Sequence, residues 1–309
     1  MAESIPAIEV TGLTKRYGPL QTGLLAVDHA DFEVQRGEVF GFLGPNGAGK
    51  TTTIRMLTGL TRPTDGQARV LGLDLSRDLP RIKKQVGVVP ENSNLYDELS
   101  ARDNLIFMGQ LYGVPRRDRG PRADELLHRF RLWERRDTRF ARLSRGMKRA
   151  LMVAAALVHR PRLLFLDEPT VGLDVVSARS LRALIEGLRE EGVTVFLTTH
   201  YLEEADRLCD RVALIVQGRI VALDTVEGLK ARVRRGATVK MRLASSSGEE
   251  LRCFHGEDVE VALRLALAHA ESEGQQIMAV NTLQPTLEDA FIELTGLRAE
   301  VMRTEKGGR

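Results

Sequence analysis

Residues 44–52 read Gly44-Pro45-Asn46-Gly47-Ala48-Gly49-Lys50-Thr51-Thr52. This is the G-x-x-x-x-G-K-[ST] pattern of a phosphate-binding loop. By average residue usage, a random chain of this length matches it roughly once in a hundred. The glycines let the backbone turn tightly and bring its N–H groups up to a phosphate chain. Lys50 reaches the β- and γ-phosphates, and the Thr51 hydroxyl suits Mg²⁺. The flanks are those such a loop needs. Residues 38–43 read as a buried strand, and residues 52–57 open a helix. That helix's N-terminus adds partial positive charge under the phosphates.

With 309 residues the chain can bury a sizeable core and is expected to hold two domains. A net charge of +3 gives no argument for a nucleic-acid partner. The longest apolar run, residues 150–158, is too short to span a bilayer, and no N-terminal stretch resembles a signal peptide. Cys209 and Cys253 lie far apart and fit no metal or redox spacing, so reduced thiols are expected.

Strands are expected at Ile8–Tyr17, Leu24–Val34, 67–71, 85–89, 163–166 and 193–199, and a hairpin at 211–223. Helical spacing marks 101–112, 121–132, the stretch after Ser144 up to Pro161, 175–189 and 201–209. Several polar residues sit where strands end: Glu91 after 85–89, Asp167 and Glu168 after 163–166, and His200 after 193–199. Ligands bind at such carboxyl ends in α/β sheets. Near a phosphate loop, Asp167 suits water-mediated Mg²⁺ binding and Glu168 suits polarising an attacking water. His200 reads as a donor to the γ-phosphate. Strand–helix alternation with buried strands argues an α/β domain with a mostly parallel sheet.

Other features leave two readings open. Tyr17, between Lys15-Arg16 and Gly18, is either an adenine-stacking ring or an edge-strand aromatic. The arginines between 116 and 145 are either a solvated basic face or one turned to phosphates or a membrane surface. Ser144 is a good N-cap, and Met147, Leu151, Ala154, Ala155 and Val158 form one apolar stripe. That describes a capped core helix, or one whose N-terminus at Ser144 and Gly146 binds an anion.

Taken in order and spacing, these motifs resemble the ATP-binding-cassette (ABC) ATPases over roughly residues 5–225. Residues 44–52 match the Walker A loop, and 143–147 the signature motif. Residues 163–168 look like Walker B, 172–174 like the D-loop, His200 like the switch histidine and Tyr17 like the adenine-stacking aromatic. Two positions depart from the usual pattern. Glu91 stands where a metal-binding glutamine is usual, and Arg145 where the signature usually has glycine. A glutamate keeps an oxygen ligand but loses the amide donor. The drug-resistance export branch, exemplified by daunorubicin exporters, is the one most resembled, and the C-terminal PTLEDAFIELTG is similar to that branch's extension.

The resemblance implies a mostly parallel core sheet with an antiparallel β subdomain and an inserted helical subdomain at about 96–161. Residues 1–225 would form this ATPase domain and residues 226–297 a small α+β accessory domain. Residues 298–309 are expected to be a frayed tail. It implies ATP and Mg²⁺ as cofactors, with Thr51, Asp167 and Glu91 towards the metal. Lys50, Glu168 and His200 take the catalytic roles, and Tyr17, residues 44–52, Ser144, Gly146 and Asp174 the nucleotide contacts. The partners implied are a separate integral membrane permease and a second, identical or homologous, ATPase subunit meeting this one head to tail. The place implied is the cytoplasmic face of the membrane. The competing expectation is a soluble ABC ATPase working on ribosomes or DNA. Such relatives usually carry two cassettes or a long coiled coil, neither visible here. A P-loop GTPase or small-molecule kinase has no need of residues 143–147, and no N-K-x-D guanine-reading stretch occurs.

Overall fold

The computed structural model describes residues 5–19, 22–233, 238–245, 248–283, 285–297 and 302. It divides into two compact units, the first running to Val226 and the second Glu227–Leu297.

In chain order the first unit begins with β1 (Ile8–Tyr17), β2 (Leu24–Val34), β3 (Val39–Leu43) and α1 (Lys50–Leu57). It continues through β4 (Asp65–Val70), β5 (Leu73–Asp74), α2 (Leu79–Lys83) and β6 (Val86–Val89). Next come α3 (Ala101–Leu111), α4 (Arg116–Arg129) and α5 (Arg145–Ala156). It closes with β7 (Leu163–Asp167), α6 (Val175–Glu190), β8 (Thr194–Thr199), α7 (Leu202–Leu208), β9 (Arg211–Val216) and β10 (Arg219–Thr225).

Two sheets share one core. The antiparallel sheet has the order β2-β1-β4-β5, and the larger sheet the order β10-β9-β3-β8-β7-β6. In the larger sheet β9, β3, β8, β7 and β6 run parallel, and only β10 is antiparallel. Its central strands β3 and β7 are buried at every position, as expected of parallel strands covered on both faces. Phe32 of β2 lies 5.9 Å from Phe40, 5.5 Å from Phe42 and 6.1 Å from Phe196, centroid to centroid. This aromatic cluster seats the antiparallel sheet on the parallel one, and burying each ring stabilises the fold by about 1.5–3 kcal/mol.

Register fixes where the site forms. Leu43 pairs with Thr199, Asp167 with Thr198, and Val89 with Leu166. The segments that follow β3, β6, β7 and β8 therefore leave the sheet along one carboxyl edge. They carry the phosphate loop, Glu91, Glu168 and His200.

Helix α4 differs from the expected 121–132. It starts at Arg116 behind Pro115 and holds Pro121 inside. A proline costs an interior helix one hydrogen bond, so the sequence pattern favours a start at Pro121. Here Ala123, Leu126 and Leu127 are buried, and Arg119 donates through Nε to the Val114 carbonyl at 2.7 Å, which hold the first turn. The helix stops at Arg129 because Arg131 takes a left-handed backbone, φ 56°.

The second unit holds α8 (Val226–Ala231) from its second residue on, β11 (Thr238–Ser245), β12 (Gly248–His255), α9 (Val259–Ser272), β13 (Gln276–Leu283) and α10 (Leu287–Thr295). Val239, Met241 and Leu243 of β11 pack on Ala262, Ala266 and Ala270 of α9. The sheet order is β12-β11-β13. Helix α10 opens on a capping box between Thr286 and Asp289 and ends at Gly296, φ 68°. Strand β12 lies at the edge of this sheet, and its Glu-Glu-Leu-Arg stretch puts charges on both of its faces.

Candidate functional site

The phosphate loop is shaped by close backbone approaches. A Cβ on Gly44 would lie 2.1 Å from the Ile215 carbonyl oxygen, and one on Gly49 2.4 Å from that of Ala26. Gly49 is also left-handed, at φ 109°. Substitution at either is excluded by backbone, so the loop and the N-terminus of α1 are held against β2 and β9. The Ala48 N–H donates to the Pro45 carbonyl at 3.1 Å, and the Gly218 N–H to that of Ala48 at 3.0 Å. Thr51 and Thr52 follow in the first turn of α1.

Lys50 is buried, 5% exposed. Its Nζ donates to the carbonyls of Gly44, at 2.7 Å, and Pro45, at 3.2 Å. It also lies 3.1 Å from Glu168 Oε1. That contact is an ion pair without hydrogen-bond alignment, and Oε1 is buried with no hydrogen bond of its own. Glu168 Oε2 meets His200 Nδ1 at 2.9 Å. Burial pushes the Glu168 carboxyl up, but His200 and Lys50 together outweigh it and hold it below the usual glutamate value. Glu168 is therefore a carboxylate at neutral pH. Asp167 Oδ1 accepts from Thr51 Oγ1 at 3.2 Å and from Thr198 Oγ1 at 2.6 Å.

A γ-phosphate and Mg²⁺ fit this donor set. Among the described residues no group of three or more His, Cys, Asp or Glu side chains forms a metal cage. Mg²⁺ at phosphates needs none, since it keeps waters and takes one or two protein oxygens. Thr51 Oγ1 and Asp167 Oδ1 supply such a pair.

A second group gathers where α5 and α6 begin. Ser144 caps α5, accepting from the Met147 N–H at 3.2 Å. Asp174 caps α6, accepting from the Ser177 N–H at 2.9 Å and its hydroxyl at 2.7 Å. Those Ser177 bonds hold the Asp174 carboxyl below its usual value. A Cβ on Gly146 would meet Ser177 Oγ at 2.3 Å, so the two helix starts adjoin at Ser177. No side-chain hydrogen bond or ion pair among the described residues joins Ser144 or Asp174 to the Lys50–Glu168 group. Arg145 is exposed at the first position of α5. Tyr17 ends β1 half-exposed, with Lys15 Nζ 5.0 Å from its ring centre. The Glu91 side chain is exposed beyond β6.

Three buried residues are absent from the sequence reading. Thr198 is one; its hydroxyl bridges Asp167 and the Glu168 N–H. Arg149 is another, held among backbone carbonyls near Glu168. The third is Glu204, whose Oε2 accepts from Thr170 and Thr199 hydroxyls, both at 2.9 Å. Thr198 and Thr199 carry the strand-end signal that identified Asp167. Arg149 immediately precedes the apolar run that fills the buried C-terminal half of α5, a position that gives no sign of what its charge meets.

Burial raises the Glu204 carboxyl above the usual 4.5, against the two threonine hydroxyls that lower it. The folded protein thus holds this proton more tightly than the unfolded chain. Its contribution is fully present below pH 4.5 and is lost as pH rises through the raised value. Glu204→Gln, a neutral isostere, is expected to raise Tm at pH 8 and to leave it unchanged near the ordinary glutamate range. A greater loss of Tm at pH 8 than at low pH would instead require an ionised Glu204.

The model of the family described as ABC transporter matches residues 27–171, a span that includes both the phosphate loop and Glu168. The daunorubicin/doxorubicin resistance ATP-binding protein of Streptomyces peucetius is 38% identical over 322 residues, covering 97% of this chain and 96% of that protein. The chain belongs to the ABC transporter family. The linearmycin resistance ATP-binding protein of Bacillus subtilis is 34% identical, covering 94% and 98% of the two chains. A solved ATP-binding subunit of an ABC transporter superposes with a TM-score of 0.65 at 31% identity, over 73% of this chain and 92% of its own. The expected fold, a P-loop ABC ATPase, is thus found, as is the resemblance to drug-resistance exporters. The chain is an ABC ATPase of exporter type that binds ATP.

Proposed function

We propose that this chain powers export through a separate integral membrane permease, at the cytoplasmic face of the membrane. The observation that carries the reading is the carboxylate of Glu168, buried and ionised between Lys50 and His200 at the mouth of a phosphate loop. Its Oε1 lacks a hydrogen bond and can accept one from water.

In this reading Lys50 and the loop N–H groups draw charge from the γ-phosphoryl group. Glu168 orients the attacking water and takes up its proton. His200, bound through Nδ1 to Glu168, presents Nε2 towards the γ-phosphate. Thr51, Asp167 and Glu91 would hold Mg²⁺, which would neutralise phosphate charge. Tyr17 stacks on the adenine.

Ser144, Gly146 and Asp174 form a second group with no direct side-chain link to the first. That separation favours a head-to-tail pair of subunits, each phosphate loop completed by the helix start at Ser144–Gly146 of a second chain, identical or homologous. Closure on ATP and release after hydrolysis would drive the permease. Among the described residues no helix is long and apolar enough to cross a membrane, so the permease is a separate polypeptide in this reading. Cargo choice lies with that permease in this reading.

Affinity-tagged chain purified from detergent-solubilised membranes is expected to carry a polytopic membrane protein in stoichiometric amount. Recovery of ribosomes or DNA in its place overturns the transport reading and favours a soluble ABC ATPase.

A further inference from the structure

Arg149 is a charged residue of α5 that is only 6% exposed. A guanidinium has five N–H donors in a rigid fork, and here they meet five backbone carbonyls. Nε donates to Pro169 at 2.7 Å. Nη1 donates to Pro90 at 2.7 Å and Glu91 at 3.4 Å. Nη2 donates to Asp167 at 3.2 Å and to Glu168. One side chain thus ties the signature helix, the turn after β6 and the end of β7 into one block. Among the described residues its charge has no carboxylate partner in hydrogen-bond contact; carbonyl dipoles solvate it.

Glu168 itself has a left-handed backbone, φ 48°. For a residue with a Cβ this costs about 1–2 kcal/mol and persists only where the surroundings over-determine it. Both sides of Glu168 are pinned. Its N–H donates to the carbonyl and hydroxyl oxygens of Thr198, each at 3.1 Å. Its carbonyl accepts from Arg149. This twist turns the carboxylate back to Lys50 and His200.

We propose that Arg149 is a positioning residue for hydrolysis. It holds the strained Glu168 backbone so that the carboxylate faces the reacting water, and locks that geometry to the Pro90–Glu91 turn and to α5. The proposal rests on the reading that Glu168 orients the water. A buried charge is retained on α5 because five carbonyls at a catalytic turn require a planar, multiple donor. Lysine has three donors on a single atom and cannot reach both the Pro90–Glu91 turn and the carbonyls of residues 167–169.

The test is a double-mutant cycle on purified protein, with turnover and ATP affinity measured separately. Arg149→Lys is expected to lower kcat about 100-fold, the scale of an ångström-level misplacement, while Kd for ATP stays within about threefold, since Lys50 and the loop are untouched. In a Glu168→Gln background the same substitution is expected to add no further loss, because the group it positions is already disabled. Arg149→Gln, which keeps a planar donor, serves if the lysine variant is insoluble and should show the same split. Turnover within threefold of wild type, a full additional loss in the double variant, or failure of both variants to fold would each overturn the positioning role. Normal turnover of Glu168→Gln alone would instead remove the reading beneath it.

Discussion

Lys50→Ala is expected to weaken ATP binding about 30- to 100-fold by calorimetry. Lys50 Nζ lies at the centre of the loop, bonded to the carbonyls of Gly44 and Pro45 and paired with Glu168. A charge-assisted bond to phosphate contributes about 2–2.8 kcal/mol, which sets that factor. The variant should also melt earlier. Removing one member of a buried pair leaves the other uncompensated, at a cost of about 3–5 kcal/mol before relaxation. His200 still meets Oε2 and reduces that cost. The sign of the pH dependence follows from Glu168. Its carboxyl is held below 4.5 in the folded state, partly by Lys50. The stability it contributes is therefore present above pH 4.5 and is lost as pH falls through the lowered value. The gap in Tm between wild type and Lys50→Ala should be widest at neutral pH and narrow on acidification. Unchanged ATP affinity would contradict the phosphate-loop assignment.

The buried strands of the parallel sheet were legible because their physics is local. A strand covered on both faces must be apolar throughout, so β3 and β7 read as unbroken runs, and a polar residue directly after such a run marks the sheet's edge. Glu168 and His200 emerge from that rule alone. Contacts across the chain are not local. Thr51 and Asp167 are 116 positions apart, and their bond depends on β3 and β7 both pairing with β8. The sequence assigned both residues to one Mg²⁺ site, but their direct bond follows only from that pairing. Arg149 and Glu204 were illegible for a related reason. A charge in a helix reads as solvated by default, and whether carbonyls or hydroxyls replace water is decided by segments far away in sequence. Pro121 misled in the opposite direction, since its local helix-breaking tendency is outweighed by the packing of Leu126 and Leu127.

Glu168→Gln is expected to lower kcat about 1,000-fold while leaving Kd for ATP within about threefold of wild type. Loss of a general base or water-orienting group costs about 100- to 10,000-fold. The substitution is close to isosteric. A glutamine side chain can turn its oxygen to Lys50 Nζ and its amide to His200 Nδ1, keeping both contacts that now sit at 3.1 and 2.9 Å. What it cannot do is supply negative charge to polarise a water or accept its proton. Nucleotide binding, which uses Lys50 and the loop N–H groups, survives for that reason. Under the proposed head-to-tail reading, the variant should collect as an ATP-bound dimer on size-exclusion chromatography, because closure is intact and release is not. Near-normal steady-state turnover would remove Glu168 from the catalytic role and with it the reason for the left-handed backbone at φ 48°. A slow enzyme with weakened ATP affinity would point elsewhere, to a carboxylate whose main service is to hold Lys50 in place.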